Sequence, residues 1–206
     1  MNICLFGATG RVGVEIVKFA LRDNHKVTAL VRNKEKLQIQ HENFRVIEGN
    51  VWNEEDVREC VKGADVVISA LGTDGNGTLS KSLPYIIDAM NEAGIIRIIT
   101  IGTAGILQAR SNPQLYRFQS SESRRKTTAA AEDHLAAYLA LKDSKLQWTI
   151  VCPTHLIDGE EIATYRTEED VLPLGGVKIT VGDTARFAYQ LLYHDIHYKK
   201  RVGIAY

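Results

Sequence analysis

Residues 2–13 read NICLFGATGRVG. A short apolar run, Asn2 to Phe6, leads directly into Gly7, Gly10 and Gly13, each three residues from the last. Glycine tolerates the positive φ of a tight turn. It also lets a bulky anion lie against the main chain. The residues that follow bear on the choice, because RVGVEIVKFALR (11–22) places Val14, Val17, Ala20 and Leu21 on one helical face. Strand, glycine loop and helix in that order form the setting of a dinucleotide site. One glycine makes the turn, one admits the pyrophosphate, and one lets the helix pack on the strand. The phosphates then meet free N–H groups at the start of the helix.

Outward from this corner, strand and helix patterns alternate. KVTALV (26–31), FRVIEG (44–49), DVVISAL (65–71), IIRIITIG (95–102) and QWTIVCP (147–153) read as strands. NEEDVRECVKG (53–63), LPYIIDAMNEAG (83–94) and AAAEDHLAAYLALKDS (129–144) read as helices, the first with Asn53 as N-cap and Gly63 as stop. A helix over 183–194 and a short strand near 202–205 close the chain. This alternation implies right-handed crossovers and a parallel sheet. Near-continuous apolar strands imply that both faces are covered. The predicted fold is α/β: a Rossmann-type doubly wound parallel sheet, one domain over 1–206, with small substrate-side elaborations at about 104–126 and 156–181.

Lys+Arg and Asp+Glu are both 25, so the net charge is zero and nothing draws the chain as a whole to nucleic acid or anionic lipid. No apolar stretch approaches the ~20 residues that span a bilayer, and no signal-peptide pattern opens the chain. A cytoplasmic location and a small-molecule partner are expected, with no nucleic acid and no membrane. Cys4, Cys60 and Cys152 have no metal-type or redox spacing, and Cys4 and Cys152, within apolar runs, read as buried thiols. The histidines lack ligand spacing apart from His194 and His197, which have no nearby cysteine, so no metal is expected.

The coenzyme is read from the end of the second strand. An NAD site usually carries an acid there, bonding the ribose 2′-OH. This chain has LVRN instead, and the guanidinium of Arg32 suits a 2′-phosphate. Arg11 adds a second cation in the glycine loop. The alternative is a solvated surface arginine. NADP, as NADPH, is the expected coenzyme, with a flavin as a possible substrate.

With FGATGRVG, LVRN, EGNV, SALG, TIGTAG and TIVCPTHLIDGE in order, the chain resembles the atypical short-chain dehydrogenase/reductases, and within them the flavin reductase or biliverdin-IXβ reductase subgroup. The resemblance runs essentially end to end. It implies that Thr103 and His155 line the reaction site. It implies coenzyme contacts at Gly7, Thr9, Gly10, Arg11, Val12, Gly13 and Arg32, at Asn50 and Val51 beside the adenosine, and at Ala70, Leu71 and Gly72 beside the nicotinamide ribose. Cys152 and Pro153 complete the set. Relatives often have Asp where Asn50 stands and Ser where Thr103 stands. Gly7, Arg32, Asn50, Gly72, Thr103 and His155 all follow strand ends, where open α/β sheets bind ligands.

Tyr138 and Lys142 form a Tyr-x-x-x-Lys pair of the kind that donates a proton in the wider family. It falls late in its helix, at the sheet end away from the coenzyme, and reads as a half-buried ring beside a solvated amine. Without that dyad, alcohol or sugar oxidation is disfavoured. Hydride transfer to a flavin or another conjugated acceptor remains, since its proton can come from solvent. His155 either donates that proton or lines the pocket. LYRFQSSESRRKTT interleaves Arg117, Arg124, Arg125 and Lys126 with Tyr116 and Phe118, which suits anionic substrates or else forms a solvated loop. Two functions fit: an NADPH-dependent reductase of conjugated acceptors, or a non-catalytic NADP-binding redox sensor of the NmrA-like type.

Overall fold

The central sheet of the computed structural model runs β3-β2-β1-β4-β5-β6-β10-β8. Its strands are β1 (Asn2–Phe6), β2 (Lys26–Val31), β3 (Phe44–Glu48), β4 (Val66–Ser69), β5 (Arg97–Ile101), β6 (Gln147–Pro153), β8 (Arg166–Glu169) and β10 (Lys200–Ala205). All pair in parallel except β8, which lies antiparallel on β10. A separate two-stranded ladder joins β7 (His155–Ile157) to β9 (Lys178–Thr180). The structure describes residues 1–123, 125 and 127–206.

The strand order is the doubly wound one expected from the sequence. The chain steps outward from β1 through β2 to β3, then returns to place β4 on the other side of β1. That reversal opens a crevice beyond the carboxyl ends of β1 and β4, the usual ligand position in such sheets. Helices α1 (Arg11–Arg22) and α5 (Val181–Gln190) cover one face. Helices α2 (Glu54–Val61), α3 (Thr78–Glu92) and α4 (Ala129–Asp143) cover the other. Side chains therefore alternate between two cores: Ile3 and Leu5 of β1 point to α1, and Cys4 and Phe6 to α2.

Two elements differ from the sequence reading. Helix α3 begins at Thr78 and runs through Pro84 rather than starting beside it. Pro84 is the seventh residue of the helix, past the first turn, so it leaves the Ser80 carbonyl without an i+4 amide donor. The last helix is α5, Val181–Gln190, which begins and ends earlier than 183–194. Its start is fixed by Thr180, whose Oγ1 accepts from the Asp183 amide at 3.1 Å. Strand β8, RTEE, is exposed at all four positions and forms one edge of the sheet. Cys4 and Cys152 are buried, as their apolar settings suggest, and burial pushes the Cys152 thiol up to about 12.

Candidate coenzyme and substrate site

The glycine corner follows β1 and lies against the chain leaving β4. Gly7 has φ +83°, and a Cβ on it would lie 2.5 Å from the carbonyl carbon and oxygen of Ala70. A Cβ on Gly13 would overlap the carbonyl of Gly7. One glycine supplies a left-handed turn, the other lets α1 press onto that turn. The Gly10 amide donates to the Gly7 carbonyl at 3.0 Å and closes the loop.

The start of α1 differs from its neighbours. Asn53 Oδ1 accepts from the amides of Glu55 and Asp56 at the head of α2. The Asp133 carboxylate reaches across from α4 to take the amides of Leu79 (3.2 Å) and Ser80 (2.9 Å) in α3. At α1, no Gly10 side chain exists to accept a hydrogen bond, and no acid stands in the first turn. Its leading amides and the positive end of its dipole face the crevice, which is the chemistry an anion needs.

Arg32 follows β2, highly exposed, with its guanidinium 3.9 Å from the Asp74 carboxylate. Asp74 is held by the Asn76 amide (3.0 Å) and the Thr78 hydroxyl (2.8 Å), and these bonds draw its carboxyl below the ordinary range. Arg11 donates to Asp158 at 2.7 Å. Both cations singled out for a 2′-phosphate thus already face a loop carboxylate. Asn50 gives its amide to Asp56 and accepts from the Trp52 amide through Oδ1. Thr9 and Gly72 are exposed, Ala70 and Leu71 half-buried. The side chains of Val12, Val51 and Cys152 are buried in the core, and Pro153 is buried at the end of β6, so any approach to coenzyme at these positions is through the main chain or a narrow edge.

Thr103 follows β5, and its Oγ1 accepts from the Gly105 amide at 3.3 Å, starting a short 3-10 turn. His155 opens β7 opposite Lys178 and is exposed. The segment after Thr103 is held from below by Arg201, a buried cation on β10. Arg201 donates to the Ile106 carbonyl (2.5 Å), to Gln108 Oε1 (3.1 Å) and to Asp170 (3.3 Å). Its guanidinium also lies over the rings of Tyr138 (4.6 Å) and Tyr116 (5.6 Å). Tyr138 is therefore a core ring, edge-on to Trp148.

Within 116–126, Arg117 turns back on Glu122, to whose carbonyl it donates at 3.0 Å, and Arg110 pairs with Glu168. Of the four cations expected to form a basic lip, Arg125 is exposed, while Arg124 and Lys126 lie outside the described residues. Among the described residues, no group of three or more His, Cys, Asp or Glu is placed to hold a metal, and no helix is long and apolar enough to cross a membrane.

Sequence reasoning passed over four residues. His134 sat among histidines without ligand spacing, although His134, Tyr138 and Leu141 at i, i+4 and i+7 trace one face of α4. Arg201 lay in an apolar strand, where a cation signals a buried partner set. Asp74 and Asp158 carried no signal of their cation partners, Arg32 and Arg11, which are distant in the chain.

The reversed strand order and the uncapped glycine corner define a Rossmann-type dinucleotide-binding protein. A family described as NAD(P)H-binding matches residues 7–195, and the chain belongs to it. It is 31% identical to a Bacteroides thetaiotaomicron protein provisionally assigned as an epimerase, with a TM-score of 0.87 and coverage of 100% of this chain and 96% of that one. A Streptococcus pneumoniae protein provisionally assigned as an NADH-flavin reductase is 24% identical, with a TM-score of 0.85 and coverage of 100% and 99%. The anaerobillin reductase ChuY of Escherichia coli O157:H7 is 21% identical, with a TM-score of 0.83 and coverage of 100% and 97%. At these last two identities the likeness is one of fold.

Proposed function

We propose that the protein is an NADPH-dependent reductase that passes hydride to a flavin or a related planar, conjugated acceptor. The observation that carries the reading is the head of α1, left without a side-chain cap and pressed by two glycines against the β1–β4 crevice. The α1 amides hold the pyrophosphate there. Arg32 and Arg11 exchange Asp74 and Asp158 for the 2′-phosphate. Asn50 and Val51 border the adenosine, and the main chain at 70–72 borders the nicotinamide ribose. When bound, the coenzyme supplies the hydride.

Thr103 and His155, after the adjacent strands β5 and β6, flank the acceptor. A flavin or tetrapyrrole needs orientation more than an obligatory acid, and His155 lines the pocket in this reading. The likeness in fold to flavin and anaerobillin reductases supports the acceptor class. Among the described residues no Tyr–Lys dyad stands beside the proposed coenzyme site, which fits it, and Tyr138 is committed beneath Arg201.

The test is loss of reduced-nicotinamide absorbance with FMN, FAD, riboflavin or biliverdin, alongside calorimetric binding of NADPH and NADH. Turnover with at least one acceptor is expected. Tight NADPH binding with no turnover of any acceptor would replace the reductase with a redox sensor. No binding of either nucleotide would end both.

A further inference from the structure

One densely surrounded titratable side chain has no part in the site described so far. His134, on α4, lines a cavity of about 30 Å³ between the α3–α4 pair and the carboxyl ends of β4 and β5. Ser69, Ser82 and Thr100 line the same cavity. The volume suits one or two waters, and a buried water needs two to four polar partners, for which His134 and the three hydroxyl residues are the candidates. Ser82 has only a long bond, 3.5 Å, to the Leu79 carbonyl. No hydrogen bond to the imidazole is found among the described residues.

Among the described residues, two charged groups act on His134. Asp133 favours its protonation but spends its carboxylate on the α3 amides, and Arg125 opposes it. From α3, β4, β5 and β6 the cavity receives only hydroxyl and apolar groups. Tyr138, on the same helix, is kept protonated by burial. Burial pushes the imidazole down to about 4, so at neutral pH one ring nitrogen donates and the other accepts. The cavity also touches Leu71, itself assigned to the nicotinamide ribose, and Gly102, next to Thr103 on the acceptor side.

We propose that His134 is a positioning residue for proton delivery, holding one or two waters against Ser69, Ser82 and Thr100 in a relay from the α4 side to the nicotinamide end. The proposal rests on the reductase reading. In that reaction the acceptor gains two electrons and one hydrogen as hydride from reduced nicotinamide, which is oxidised. One proton from water completes the reduced acceptor. A neutral imidazole takes a proton at one nitrogen as it releases one from the other, so no net charge stays in the apolar cavity.

The experiment compares wild type, His134→Phe and His134→Gln at saturating NADPH with FMN as acceptor, in H₂O and D₂O and across pH. For His134→Phe, kcat is expected to fall about 100-fold, with coenzyme Kd unchanged and a larger solvent isotope effect, because proton delivery then limits the rate. His134→Gln keeps a donor and an acceptor and should recover about tenfold of that loss. A packing role alone would lower Tm in both variants and leave the isotope effect where it was, which overturns the proposal. So do unchanged turnover and isotope effect in both. If His134→Phe does not fold, the Gln variant decides on the same two readouts. Failure of wild type to turn over any acceptor would remove the reductase reading and the delivery role with it. The water site is decided separately, by a high-resolution crystal structure of wild type: absence of an ordered water bonded to His134 overturns it.

Discussion

The two halves of the crevice are built differently. Around β1 to β3, the site is main chain: glycines, uncapped amides, and exposed cations on short loops. Around β5, β6 and β10, it is assembled from side chains far apart in sequence. Arg201 joins Ile106, Gln108 and Asp170. Asp183 accepts from the amides of Ile162 and Ala163 and from the hydroxyls of Thr180 and Tyr206. The proposed coenzyme half keeps its shape through local backbone geometry, whereas the proposed substrate half depends on buried polar clamps. That difference predicts how each half fails.

The largest effect should come from Arg201→Met. It leaves the Ile106 carbonyl, Gln108 and Asp170 without their common donor, at a cost of about 4 kcal/mol. Urea unfolding should show the loss, while coenzyme affinity of the folded fraction stays near wild type. Gly13→Ala is the converse. Overlap with the Gly7 carbonyl should cost about 3 kcal/mol and abolish coenzyme binding by calorimetry. Equal losses of binding in both variants would erase the distinction between the halves.

Acid should act on the α3–α4 side. His134 takes up a proton near pH 6.5 when unfolded but only near 4 when folded. Its stabilising contribution is therefore complete above pH 6.5, is lost as pH falls toward 4, and amounts to a difference on the order of 3 kcal/mol. Urea midpoints at pH 7 and pH 4.5 should differ less for His134→Phe than for wild type. The smallest effect belongs to Asp74→Asn, which keeps an acceptor for the Asn76 amide and the Thr78 hydroxyl but removes the charge facing Arg32. NADPH should gain about fivefold in affinity over NADH, as read from paired titrations. An unchanged ratio would detach Arg32 from the 2′-phosphate.

The same contrast explains what could be read in advance. Phe6–Gly7–Gly13 and the Asn53 cap are local, and glycine and cap chemistry leave marks in sequence. The strand order followed from alternation because parallel crossovers admit few topologies. Arg201 over Tyr138 was not legible, since a cation–ring contact across the fold has no periodicity. The same holds for Arg32 facing Asp74. In both cases tertiary placement, rather than residue type, decides the partner, and a cation bound for phosphate looks the same as one bound for a carboxylate until the loops are folded.

Strand β8 carries a consequence for self-association. Open sheet margins invite another chain to continue the ladder, and charged residues discourage it. Arg166, Glu168 and Glu169 sit on that margin beside Thr167, with no apolar residue among the four. A second copy seeking to extend the sheet there would have to bring its own charges into register with these and strip water from them. Extension of the sheet by a second molecule is thereby discouraged at this border.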